Sequence, residues 1–141
     1  MDGNSPILAP LVALVIWTMV MWLWMYATRI PAMAKAKIDV TPGVYQSDDL
    51  KKLPAKTHWK AENYNHLHEQ PVIFYAIVLT LALVGGGEGL NLTLAWSYVG
   101  IRIVHSVWHS MFNIIPVRFG LFVLSNIPLV WLIVNAACIV F

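Results

Sequence analysis

Charge is what this sequence has least of. Only 11% of its 141 residues are Asp, Glu, Lys or Arg, against 59% hydrophobic, and the mean hydropathy is +0.67. A soluble domain of this length needs far more polar surface, so that class is excluded. The uncharged runs 6–28 and 119–141 contain no Asp, Glu, Lys or Arg. Each is long enough for a spanning helix, which needs about 20 residues. The composition is that of an all-α integral membrane protein.

Other scarcities narrow the reading. The single cysteine, Cys138, excludes an intrachain disulfide framework and reads as a small hydrophobe in the last helix. The N-terminal "MDGNSP" lacks the cationic region of a signal peptide, and no small-x-small cleavage pattern follows its apolar run. That run is expected to be a retained first helix. A net charge of +2 is too small to point to nucleic acid, which leaves membrane lipids as the first partner.

Four spans fit one transmembrane domain over 1–141, at about 6–28, 62–84, 90–112 and 118–140. With no water in hydrocarbon to satisfy the backbone, all four are expected to be helices in a bundle. "GGGEG" at 85–89 predicts a tight turn between the second and third, and Pro116 a break before the fourth. Seven of the nine basic residues lie in the 29–60 loop, and Arg118 begins the fourth span on the same side. The opposite loop carries only Glu88, and the N-terminus only Asp2. The positive-inside rule then makes the loop cytoplasmic and sets both termini on the other side.

What is present in so apolar a chain stands out. An ionisable group within a span costs at least about 2.5 kcal/mol near the centre, so it tends to face protein and mark function. Glu62, His66 and Glu69 (i, i+4, i+7) share one helical face with Asn65 beside them, and His68 points elsewhere. Arg102, His105 and His109 (i, i+3, i+7) form a second stripe, extended by Tyr98. The two stripes are expected to face each other or a neighbouring subunit, with Glu69 paired to Arg102 and Arg118 at the rim of a wet cavity. Each member also has a plainer reading. Glu69 and Arg102 would serve as an ion pair fixing helix packing, Arg118 as an anchor reaching phosphate headgroups, and His66 and His68 as a solvated helix start. Pro71 leaves the Leu67 carbonyl without its usual donor, one turn from Glu69.

The long basic loop, the polar opening to the second span and the stretch "GIRIVHSVWHSMFNIIPVR" resemble the MAPEG family, the membrane-associated proteins in eicosanoid and glutathione metabolism. That stretch is similar to the family's G-R-x-x-H followed by P-x-R, and the interval from Arg102 through His105 to Pro116 and Arg118 needs no gap. Glu69 falls on the glutamate of the family's N-x-x-E motif. The resemblance implies a homotrimer that binds glutathione between subunits, and a lipophilic small molecule as the second substrate. Arg118 would be the catalytic residue holding the thiolate, and Glu69 would hold the glutathione amino group. Arg102 and His105 would line the same pocket, with His66, Asn65 and His109 beside them.

The chain departs from the pattern at several positions. The motif's asparagine is His66, with Asn65 adjacent, and a family arginine four residues earlier is Glu62. A family tyrosine is His109, and a tyrosine or serine after the arginine is Phe119 or Phe122. Lys60, Lys56 or Arg29 are then candidates to meet the glutathione carboxylates. Two alternatives to a glutathione-dependent transferase or peroxidase follow. One is a non-catalytic lipid-binding or scaffold member of the fold. The other is a metal-binding membrane protein using His105, His109, His66 and Glu69.

Overall fold

A computed structural model describes residues 4–141, so Asp2 lies outside the described residues. The described residues form five α-helices: α1 (Leu8–Lys35), α2 (Ala55–His66), α3 (Pro71–Leu83), α4 (Gly89–Met111) and α5 (Ile115–Val140). A 3-10 turn occupies Ser47–Lys52, and no strand occurs among the described residues. Three stretches are long and apolar enough to cross a membrane: Leu8–Lys35, the α2–α3 segment Ala55–Leu83, and Ile115–Val140. This is an integral membrane protein.

The helices are longer than the apolar runs at three places. α1 continues to Lys35, and α2 begins at Ala55, so the non-helical part of the 29–60 loop shrinks to 36–54 with the 3-10 turn inside it. Length beyond the greasy run comes from strong helix formers, Ala32, Met33, Ala34 and Lys35, which hydropathy does not register. α5 starts at Ile115, before the expected residue 118, because Pro116 sits in its first turn, where a missing N–H costs nothing.

Helix ends are set by left-handed residues. Lys37 (φ 52°) closes α1 with bonds from its own N–H to the Ala34 carbonyl and from the Ile38 N–H to the Met33 carbonyl. Gly85 (φ 75°) closes α3 in the same way, with the Gly86 N–H reaching the Leu81 carbonyl at 2.8 Å. Asn113 (φ 50°) closes α4. These are the 6→1 and αL closures that satisfy orphan carbonyls. In the loop, Lys52 and the Gln46 N–H bond the Asp49 carboxylate and hold it below the usual carboxylate range.

The second span divides at Pro71. Its ring displaces the Leu67 carbonyl and offers no donor, so 67–70 adopts i→i+3 bonds, His68 N–H to Asn65 and Glu69 N–H to His66. α2 and α3 are therefore offset within one segment.

α4 packs against α1, α2 and α5, the most enclosed position in the fold. Its buried face carries Asn91, Tyr98, Arg102, His105, Ser106, His109 and Ser110. A helix lined by protein tolerates such a face, and this explains why α4 alone of the four long segments is not apolar enough to qualify as a span. Beside it, Ile7, Leu14, Phe74, Val78, Leu81, Tyr98, Leu129 and Leu132 form the apolar core. Phe74 stacks on Tyr98 with centroids 4.4 Å apart. The outer faces of α1, α3 and α5 expose Val12, Ile16, Leu79, Ile127 and Val134, which suits hydrocarbon.

Candidate functional site

α2, the 67–70 turn, α4 and the first turns of α5 converge at one end of the bundle. They enclose a cavity of about 310 Å³ lined by Glu62, Asn65, His66, Glu69, His109 and Arg118. A second cavity of about 220 Å³ adjoins it, lined by His66, His105, Ile115, Arg118, Phe119 and Phe122. Its wall is mostly carbon. His66 and Arg118 belong to both, so the polar and the apolar chamber meet at an imidazole and a guanidinium.

Arg118 sits in the first turn of α5, whose free N–H groups already favour an anion. Its Nη1 donates to Asn113 Oδ1 at 2.8 Å and to His109 Nε2 at 2.9 Å. Because a guanidinium only donates, His109 Nε2 must be the acceptor and Nδ1 carries the proton. That Nδ1 is buried without a partner. Glu62 Oε2 stands 3.6 Å from the same His109 Nε2, too far for a good hydrogen bond. The cavity thus opposes two carboxylates, Glu62 and Glu69, to one guanidinium.

Glu69 does not pair with Arg102. Its Oε2 lies 3.1 Å from His66 Nδ1, and its side chain is 69% exposed. The offset at 67–70 turns Glu69 back over its own helix and brings Gln70 toward α4. Arg102 is fully buried, and its Nη1 reaches Gln70 Oε1 at a long 3.4 Å. Its Nε and Nη2 have no partner. Its guanidinium carbon lies 5.9 Å from the Tyr98 ring and 5.8 Å from the Phe122 ring, so aromatic faces stand in for a counter-ion. Arg102 lines neither cavity and sits behind them.

The three site histidines cluster. The ring of His66 is 5.3 Å from that of His105 and 6.3 Å from that of His109. His68 turns away as expected, bonding the Tyr64 carbonyl at 2.9 Å. Among the described residues no three His, Cys, Asp or Glu side chains are placed to hold one metal ion. With Arg118 on His109 Nε2, that geometry counts against the metal-binding alternative.

Sequence reasoning passed over two residues here. Asn113 anchors Arg118, and its signal was present: an asparagine at a helix stop is the commonest non-glycine residue in the left-handed region. Gln70 bridges three elements, donating to Asn126 on α5 and accepting from Arg102 on α4. Only the offset at Pro71 reveals it.

A membrane protein of packed helices, with a polar cluster enclosed at one end and apolar surface elsewhere, is the class that fold and site define. The sequence model of the MAPEG family matches residues 7–138, and the chain belongs to that family. The family holds glutathione transferases and peroxidases as well as non-catalytic members. No curated protein and no solved structure matches the chain significantly.

Proposed function

We propose that this protein is a glutathione-dependent transferase or peroxidase acting on lipophilic substrates, with Arg118 stabilising the thiolate. One observation carries the reading: a polar and an apolar chamber share Arg118. A peptide thiol and a greasy electrophile need two such chambers with a cation where they meet. A thiol with a pKa of about 8.5 is mostly protonated at neutral pH, and a half-buried guanidinium in the first turn of a helix favours the nucleophilic anion.

The residues fit glutathione in part. Its ammonium suits the carboxylates of Glu69 and Glu62. Its two carboxylates need cations beyond Arg118. Of the lysines and arginine named for that task, Lys60 is drawn inward, bonding the Lys56 carbonyl at 3.1 Å and lying 5.2 Å from the Trp24 ring centre. Lys56, Arg29 or the neighbouring subunit of a homotrimer must then supply the charge. In this reading α4 also crosses the membrane, third of the four spans of a single transmembrane domain, the basic loop and Arg118 face the cytoplasm, and both termini lie opposite.

Calorimetry on the full chain in detergent tests the proposal. Glutathione binds, and conjugation of a lipophilic electrophile accompanies it. No heat of binding at millimolar glutathione overturns it. A non-catalytic lipid-binding role is the second reading, favoured by the excess of carboxylates over guanidinium in the polar chamber and by Phe119 or Phe122 where family enzymes carry a hydroxyl. A lipid that co-purifies in the chambers while glutathione fails to bind would establish it.

A further inference from the structure

The His66–Glu69 contact has the form of an acid–base pair. Glu69 Oε2 is 3.1 Å from His66 Nδ1, so a neutral imidazole places its proton on Nδ1, toward the carboxylate. That leaves Nε2 as a lone-pair acceptor, and among the described residues it makes no protein hydrogen bond. The ring forms part of the wall of both chambers, as Arg118 does. The local backbone builds this arrangement. His66 ends α2, and the i→i+3 bond from the Glu69 N–H to the His66 carbonyl folds Glu69 back over it. Residues three apart share a face of any helix, and here the pair lies in the i→i+3 turn that leads into Pro71.

We infer that His66, oriented and polarised by Glu69, is a general base and then general acid at the junction of the chambers, and that it takes and returns the thiol proton. The inference rests on the thiol chemistry proposed above. Arg118 stabilises charge on sulfur but, already a full cation, accepts no proton. His109 does not serve, because its Nε2 is occupied by Arg118. His105 is 1% exposed and lacks a carboxylate partner. His66 alone combines an orienting carboxylate, a free nitrogen and access to both chambers.

The proton balance closes on His66. The S–H bond breaks and the proton moves to His66 Nε2, giving a thiolate beside Arg118 and an imidazolium beside Glu69. When the thiolate adds to carbon, an epoxide C–O bond opens, or an enone becomes an enolate. The imidazolium then returns the proton to the new oxyanion, and His66 is neutral again. No other reactant is required. Lipophilic epoxides and enones suit the test of this cycle, because their addition creates a basic oxygen that takes the proton back.

Kinetics of the full-length protein in detergent, with glutathione and a lipophilic epoxide, test this. His66→Gln is expected to lower kcat about 100-fold, within the usual range for removing a general acid–base group, while KM for glutathione changes little. The acidic limb of the pH–rate profile disappears with it. Glu69, Glu62, Arg102, His105, His109 and Arg118 all face His66, so the limb is assigned by its loss in the variant. His66→Ala is expected to regain activity with added imidazole, which a merely structural histidine would not show. Glu69→Gln, at an exposed position, gives a smaller loss in kcat and guards against misfolding of the histidine variants. Unchanged kcat and pH profile in His66→Gln overturn the inference while leaving the glutathione reading intact. Wild-type protein that neither binds nor conjugates glutathione overturns both.

Discussion

The two ends of the bundle treat polar groups in opposite ways. At the glycine-turn end, Asn135 donates to Asn91 Oδ1 at 2.7 Å and Asn91 donates to the Gly86 carbonyl at 2.9 Å. Around them Leu81, Ile7 and Ala136 are packed without exposure of consequence. At the Arg118 end, Arg102 Nε and Nη2, His109 Nδ1, Asn63 Oδ1 and Ser110 Oγ are buried without partners. Buried polar atoms are ordinarily satisfied, and each orphan has an energetic cost of about 1–3 kcal/mol. One end satisfies its polar groups, and the other leaves donors and an acceptor unpaired around and behind two chambers.

Perturbing each end should separate chemistry from stability. The largest effect is expected from Arg118→Ala, which removes the only guanidinium on the chamber walls. Loss of one such electrostatic stabiliser typically lowers turnover about 100- to 1,000-fold, here with an unchanged melting temperature and elution volume. An Arg118→Ala protein that turns over like wild type would dissolve the contrast between the ends.

Leu81→Ala comes next and acts on the opposite property. Leu81 is fully buried and packs so close to Gly86 that a side chain there would meet its Cδ2 at 3.0 Å. Truncation leaves a cavity, and because lipid is as apolar as the core, the lost term is packing, about 2 kcal/mol at the low end for Leu→Ala. Thermal unfolding in detergent should shift downward while turnover per folded molecule stays constant.

The smallest effect belongs to Asn135→Leu. Interhelical side-chain hydrogen bonds within membranes average about 0.6 kcal/mol, so unfolding should move only slightly. A loss several times larger would show that the asparagine pair, and not apolar packing, holds that end together.

Much of this was legible in the residues because membranes allow few backbone solutions. Uncharged runs marked the apolar helices, Gly85 and Pro116 their punctuation, and the stripes Glu62–His66 and Arg102–His105–His109 the polar interior. Placement of Glu69 was not legible. Helical phase set it on one face with His66 but did not fix its partner: Arg102 was the expected one, whereas Glu69 meets His66 and Gln70 reaches Arg102. Helix ends at Lys35 and Ala55 were equally hidden, since they rest on helix propensity and left-handed closures and not on hydropathy.

Ultraviolet difference absorbance on adding glutathione to the purified chain tests the central claim most directly. The account predicts a thiolate band at neutral pH in the wild type that Arg118→Ala abolishes and Leu81→Ala preserves. No band at millimolar glutathione, or one that persists without Arg118, would contradict it.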